Sequence, residues 1–217
     1  MTKFISFKIL FAIFLLLPLF TKCNKNEGSQ LKVKVLQPGP EDGKDSNIWS
    51  LYPDRNGGDS TFLRADVGLI ENNSYIERSL LQFDLSSIPE GSEVLLAELA
   101  LYYYDPENRD HHTTTGPNTA FIQRIIASWT ESSITWNNQP SSTTQDQSII
   151  LDMTESRGDL IDQDITTLVQ EMVNNRAEDY GFIIKLETED GNKGMYFASS
   201  DHPDPNLHPK LIVTYYQ

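Results

Sequence analysis

The sequence predicts an all-β sandwich carrying one short helix. From Leu31 onward, apolar residues recur mostly at every second position, short apolar runs alternate with turn-forming residues, and one segment shows helical spacing. A chain of 217 residues fits one such domain, and neither a second core nor an internal repeat is visible. Ten phenylalanines and nine tyrosines supply the apolar area that a disordered chain lacks.

The N-terminus comes first. Lys3 and Lys8 precede an apolar run, Ile9 to Phe20, interrupted by Pro18. Such a run is too short to cross about 30 Å of hydrocarbon and reads as a secretory signal over residues 1–22. Leu19-Phe20-Thr21-Lys22-Cys23 resembles a loose bacterial lipoprotein signal, in which the cysteine sulfur is acylated, although Lys22 stands where a small residue is usual. Cys23 is the only cysteine, and residues 23–30 form a polar tether to a domain spanning 31–217. The expected protein is exported, either as an outer-membrane or cell-surface lipoprotein whose only membrane contact is this anchor, or as a secreted protein. Removing residues 1–22 discards three lysines and no acid, taking the formal charge from -14 to -17.

The strands follow in order. Leu31–Val35 alternates cleanly; Thr61–Leu69, Glu77–Leu85, Val94–Tyr104 and Thr119–Ile126 come next, then Ser148–Leu151, Gly181–Glu187, Gly194–Ser200 and Lys210–Tyr216. Turn chemistry separates them at Asn56-Gly57-Gly58, Pro89-Glu90-Gly91, Gly116-Pro117-Asn118 and Asp190-Gly191. The last lies between two strand-like runs and predicts a hairpin. Ile165, Leu168, Val169 and Met172 fall at helical spacing behind Asp164 as N-cap, predicting a helix near Ile165–Asn174.

Several segments in order carry a family resemblance. They include Pro38-Gly39-Pro40-Glu41-Asp42-Gly43-Lys44-Asp45, Asn56-Gly57-Gly58, the run Arg78-Ser79-Leu80-Leu81-Gln82-Phe83-Asp84-Leu85-Ser86-Ser87-Ile88-Pro89, and Trp129-Thr130-Glu131-Ser132-Ser133-Ile134-Thr135-Trp136-Asn137-Asn138-Gln139-Pro140. Asp164-Ile165-Thr166, Tyr180-Gly181-Phe182 and Pro209–Tyr215 complete the set. Together they resemble the DNRLRE domain, the disaggregatase-related repeat grouped with carbohydrate-binding modules as family ninety-six, over roughly residues 31–216. The resemblance implies a jelly-roll β-sandwich on a bacterial surface, binding a polysaccharide such as alginate, with no catalysis of its own.

The residues themselves point the same way. One cysteine excludes a disulfide framework and any multi-thiolate zinc site. The acidic charge repels nucleic acid. No Gly-x-Ser-x-Gly, Walker loop or His-Glu-x-x-His occurs, which leaves a polysaccharide lyase the weakest reading. His111 and His112, like His202 and His208, read as parts of solvated loops. Trp129 and Trp136 read as packing a corner rather than as a sugar platform. Three loops are rich in oxygen donors: Asp42–Asp45, Asp54–Asp59 and Asp201–Asn206. No cofactor is required; a structural calcium would suit these loops, and turn-forming Asp and Asn explain them equally well.

The sharper expectation concerns a face. Strand alternation sets Arg78, Leu80, Gln82 and Asp84 opposite the core side of one strand, and Glu98, Ala100, Tyr102 and Tyr104 opposite the core side of another. If the two strands are neighbours, Arg78 lies beside Tyr102. A carbohydrate site of Arg78, Gln82, Tyr102 and Tyr104, with Arg64 at its edge, then offers stacking, hydrogen bonds and charge. A loop covering that face, with Arg78 paired to Asp84 or Glu98, is the competing arrangement. An anionic polymer needs a local basic site, for which Arg55, Arg64, Arg78 and Arg124 are the candidates. An adhesion module whose surface meets protein is the alternative function.

Replacing Cys23 by Ser is expected to move the protein from the membrane fraction to the soluble fraction. Wild-type protein that already fractionates as soluble and unacylated overturns the anchor.

Overall fold

The computed structural model describes residues 29–106, 112 and 116–217; the expected signal, Cys23 and His111 lie outside that set. Among the described residues, two antiparallel sheets face each other. One runs in the order β1 (Leu31–Leu36), β11 (Lys210–Tyr216), β5 (Glu93–Leu101) and β8 (Leu160–Asp164). The other runs β10 (Lys193–Ala198), β3 (Phe62–Ile70), β4 (Asn73–Gln82), β9 (Phe182–Leu186), β6 (Ala120–Ile125) and β7 (Ser142–Ile150). A further strand, β2 (Lys44–Trp49), pairs with β4 from Glu77 to Gln82, taking over where the register of β3 with β4 ends at Glu77. This is the all-β sandwich expected, and the chain crosses between sheets after β1, β4, β5, β7, β8 and β10.

Alternation builds the core. Leu211, Val213 and Tyr215 of β11 point inward with Ala97, Leu99 and Leu101 of β5, against Leu81, Ile122, Phe182 and Phe197 of the other sheet. The helix α1 (Thr166–Asn174) buries Leu168, Val169, Met172 and Val173 in the same core, packing on β5 and β7, one strand from each sheet. Each such side chain contributes about 1.5–3 kcal/mol by leaving water. The N-cap is Ile165 and not Asp164 as expected, but Asp164, one residue earlier, still ties down the first turn: its Oδ1 accepts from the Thr166 N–H at 2.9 Å and from its hydroxyl at 2.6 Å. The Val94 and Ala97 N–H groups donate to Gln170 Oε1 and Thr166 Oγ1, fastening the helix to the edge of β5.

A second apolar cluster covers the opposite face of the larger sheet. Ile48, Leu80, Ile125 and Ile183 are buried there beneath Trp129 and Ile134, with Trp136 and Tyr180 packed against them. The Trp129 Nε1–H donates to the Tyr180 carbonyl at 2.8 Å. Trp129 thus packs the corner, as its sequence context indicates, and the larger sheet is buried on both sides there.

Two further expectations need correction. Asp190-Gly191 does not close a hairpin: both edges of β9 are taken, by β4 and β6, so the chain steps across to pair β10 with β3. The tight hairpin instead joins β3 and β4 through Glu71 and Asn72, both at positive φ (50° and 65°), which matches the strand twist. The histidines do not sit in solvated loops, for His112, His202 and His208 are buried.

His112 is a clamp. Its Nε2–H donates to the Gly158 carbonyl at 2.7 Å and its Nδ1 accepts from the Tyr196 N–H at 3.1 Å, an arrangement that only the neutral ring can make. Burial holds its pKa below the usual 6.5, against the opposing pull of the Gly158 carbonyl and Asp159. With the native pKa depressed, the unfolded chain binds the proton more readily, so this stabilisation is present above about pH 6.5 and is lost as the pH falls. His112→Gln should cost about 1–2 kcal/mol at about pH 7.5. Urea unfolding at about pH 7.5 and about pH 5 should show the gap to wild type narrowing on acidification. A gap of equal size at both values refutes the neutral clamp.

Candidate functional site

The five residues expected to share one face are not assembled on one. β4 belongs to the larger sheet and β5 to the smaller, because the chain after Gln82 passes from one sheet to the other instead of turning back. The register of β5 also shifts between Leu99 and Leu101. Beyond Leu101 the chain leaves β11 and runs beside β10, where the Ala198 N–H donates to the Tyr102 carbonyl and Tyr103 bridges Phe197.

Each expected residue has its own surroundings. Arg78 makes a bidentate pair with Glu189, both bonds 2.7 Å, donates to Gln139 Oε1 at 2.7 Å, and lies 4.7 Å from the Trp136 ring centroid. A loop therefore covers its face, as the competing arrangement held, with Glu189 as partner in place of Asp84 or Glu98. Gln82 accepts from Lys44 Nζ at 2.7 Å and donates to the Asp179 carbonyl at 2.6 Å. Tyr102 lies under Lys210, and Tyr104 packs edge-on against the His202 ring at 4.3 Å. Arg124 pairs with Glu178 at 3.9 Å.

Arg64 is different. It is buried on β3, pairs with Asp105 at 3.1 Å and with Glu77 at 3.8 Å, and lies 4.2 Å from the Phe62 ring centroid. It also lines a cavity of about 220 Å³ together with Trp49, Arg55, Phe62 and Glu77. Of the four arginines considered, Arg55 and Arg64 meet there. Trp49 ends β2 on the cavity wall, with Tyr52 at 4.9 Å and Tyr75 at 6.0 Å, both edge-on. The exposed Arg55 guanidinium stands 5.7 Å from the Trp49 ring centroid. The Trp49 indole Nε1 is buried and has no hydrogen-bond partner among the described residues. Asn47 fixes the strands around the opening: its Nδ2 donates to the Phe62 carbonyl at 2.7 Å and its Oδ1 accepts from the Arg64 N–H at 3.0 Å.

The sequence marked Arg55, Arg64 and the Asp54–Asp59 loop but not Trp49. That tryptophan ends a strand of mostly polar residues, Lys44-Asp45-Ser46-Asn47-Ile48-Trp49, which has no alternation to announce it. Its one signal was position, a tryptophan just before a loop of turn-formers.

The oxygen-rich loops also converge. Asp45 and Asp201, joined by Glu131 from the corner segment, bring carboxylate oxygens to within 4.8 Å of one another. Burial pushes the Asp45 carboxyl up to about 7, with the neighbouring acids Asp201 and Glu131 adding to it, and raises Glu131 and Asp201 as well. Asp59, on the third loop, contributes to the rise at Asp201. Asn56 Nδ2 donates to the Glu131 and Ile134 carbonyls at 2.6 and 2.8 Å, so the loop that carries Arg55 is tied to the turn that carries Glu131. Gly58 allows that approach, since a Cβ there would meet the Glu131 carbonyl oxygen at 2.7 Å.

The family model of carbohydrate-binding module family 96 matches residues 41–215, which takes in the cavity and the carboxylates. No curated protein matches the chain.

Arg78 and Arg55 should separate structure from surface. Arg78→Ala strands Glu189 and uncovers Trp136, and should cost about 1–3 kcal/mol in urea unfolding. Arg55→Ala, at an exposed side chain, should stay within about 0.5 kcal/mol of wild type. Equal costs for the two would contradict these assignments.

Proposed function

Since the chain belongs to carbohydrate-binding module family 96, we propose that it is an exported, non-catalytic module that holds an anionic polysaccharide at the Trp49–Arg55–Arg64 cavity. One observation carries this reading. At the mouth of the cavity an exposed guanidinium stands over the face of a tryptophan that lines the cavity wall. A sugar ring offers C–H groups to such a face and oxygen acceptors to the exposed guanidinium. The volume is below the roughly 300–1,000 Å³ of drug-sized pockets, which suits one ring of a chain rather than a long stretch.

Arg64 contributes electrostatics more than contact. Asp105 and Glu77 fix its guanidinium, so the cavity floor is ordered before ligand arrives. Arg55 is the exposed partner, with a side chain long enough to pair with a uronate carboxylate. The acidic surface repels a polyanion at long range, but salt screens that field beyond about 8–10 Å, leaving the local arginine to decide capture. Acylation at Cys23 would hold the module on the cell surface.

A protein-binding adhesion module is the second reading, drawn from a different place. On β1, Leu31, Val33 and Val35 are 57, 63 and 54 % exposed on an edge strand, a pattern that suits docking against protein.

Affinity-gel retardation across alginate, pectin and neutral glucans tests the main reading. Alginate or another polyuronate should retard wild type most. Arg55→Ala and Trp49→Ala should each weaken binding about five- to tenfold, the loss of roughly 1 kcal/mol or slightly more per contact. Retardation unchanged in both variants moves the site elsewhere, and no retardation of wild type by any polymer turns the choice to adhesion.

A further inference from the structure

Asp45 is 1 % exposed, and among the described residues Ser200 alone hydrogen-bonds its carboxylate, with the Ser200 N–H donating to Oδ2 at 2.8 Å. No cation among the described residues is ion-paired with it, nor with Glu131 or Asp201, the two acids whose oxygens lie within 4.8 Å of its own. Lys44, the basic residue whose field reaches Glu131, is itself held by Gln82 Oε1 and lies 4.2 Å from the Trp129 ring centroid. His208 acts on Asp201 in the same sense, also without an ion pair. A buried carboxylate facing two others with no ion-paired cation has two ways out: take up a proton or take up a cation. The independent element here is Asp45 itself, a charge almost wholly withdrawn from water, aimed at its two neighbours and unpaired.

We propose that Asp45, Glu131 and Asp201 form a calcium site that fastens three loops of the sandwich together. The donors are all hard oxygens, without the nitrogen or sulfur that zinc favours. Calcium–oxygen distances of about 2.3–2.6 Å let two ligands stand up to about 5 Å apart across the ion, and carboxylate oxygens within 4.8 Å of one another fall inside that span. Magnesium, at about 2.0–2.1 Å with strict octahedral demands, would need the ligand segments to adjust to its geometry. They have little room to do so. A Cβ on Gly58 would already strike the Glu131 carbonyl, and one on Gly43 would strike Ser200, so the backbones beside the ligands are in tight contact. Three carboxylates leave several positions for carbonyls or water, and exposed Asp59 stands near enough to act on Asp201.

Such an ion would bridge β2, the corner segment and the Asp201 loop. Through the Asn56 bonds to the Glu131 turn it would also brace the loop that presents Arg55. The calcium site does not depend on the carbohydrate reading, and its test contains no sugar.

Full-length protein freed of metal with EDTA is titrated with CaCl2 in a calorimeter, and its thermal unfolding is followed in EDTA, CaCl2 and MgCl2. Calcium should bind at one site and raise the Tm by about 5 °C or more at a hundredfold excess over Kd. Magnesium should bind at least about tenfold more weakly. Glu131→Gln should weaken calcium binding by about tenfold or more. Because Glu131 Oε1 also accepts the Asp45 N–H, Asp201→Asn serves as a second variant with an intact turn and should show the same loss. The proposal is overturned if wild type gives no heat of binding and no Tm shift with CaCl2, if magnesium matches calcium, or if Asp201→Asn binds calcium as tightly as wild type.

Discussion

Strand β4 feeds two cores at once, and the rest of the molecule is arranged around that double duty. Leu81 faces the space between the sheets while Leu80 lies in the cluster under Trp129. A strand at the surface of a sandwich ordinarily presents polar residues outward, but here both faces are apolar and both must be covered. The inner face takes the smaller sheet. The outer face takes the corner segment, and to reach it the chain carries Glu131 and Trp136 across the end of β2. The position of Glu131 beside Asp45, and of the Asn56 loop beside both, follows from this covering.

Buried charge gathers along the same strands. Arg64 and Asp66 of β3 and Glu77 of β4 are at most 3 % exposed, and Asp66 accepts from the hydroxyls of Tyr75 at 2.7 Å and Tyr196 at 3.0 Å. Replacing such a network by apolar residues is often neutral or stabilising, so its presence argues for a role in placing groups rather than in holding the fold. Its effect is to fix the guanidinium at the bottom of the cavity, while the one at the rim is exposed beside Trp49.

The sequence disclosed what is local. β11 was legible to the residue, and α1 within one residue of its start, because alternation, helical spacing and an acid at the first turn are all written in neighbouring positions. What failed depends on partners distant in the chain. Asp190-Gly191 has hairpin chemistry, yet pairing is decided by β4 and β6, more than fifty residues upstream. The face of Arg78 and Tyr102 required β4 and β5 to be neighbours, and nothing local says that residues 83–92 cross to the other sheet. β2 and β8 escaped notice because Lys44–Trp49 and Leu160–Asp164 are mostly polar strands, steadied by tertiary contacts rather than by pattern. The oxygen-rich loops were visible as composition, but their convergence was not.

Consider finally how β1 is attached. It pairs along its length with β11, and at its beginning Gln30 and Gln217 exchange backbone hydrogen bonds at 2.9 and 3.1 Å. Its apolar side chains lie mostly outside the core, so little beyond backbone pairing retains it. A pull entering through residue 30 would load these bonds in series, opening them one after another like a zip, instead of shearing the whole ladder together. Were the module held through residues 23–30, the strand next to that point would act as a mechanical fuse, peeling away and lengthening the connection ahead of the ten other strands among the described residues.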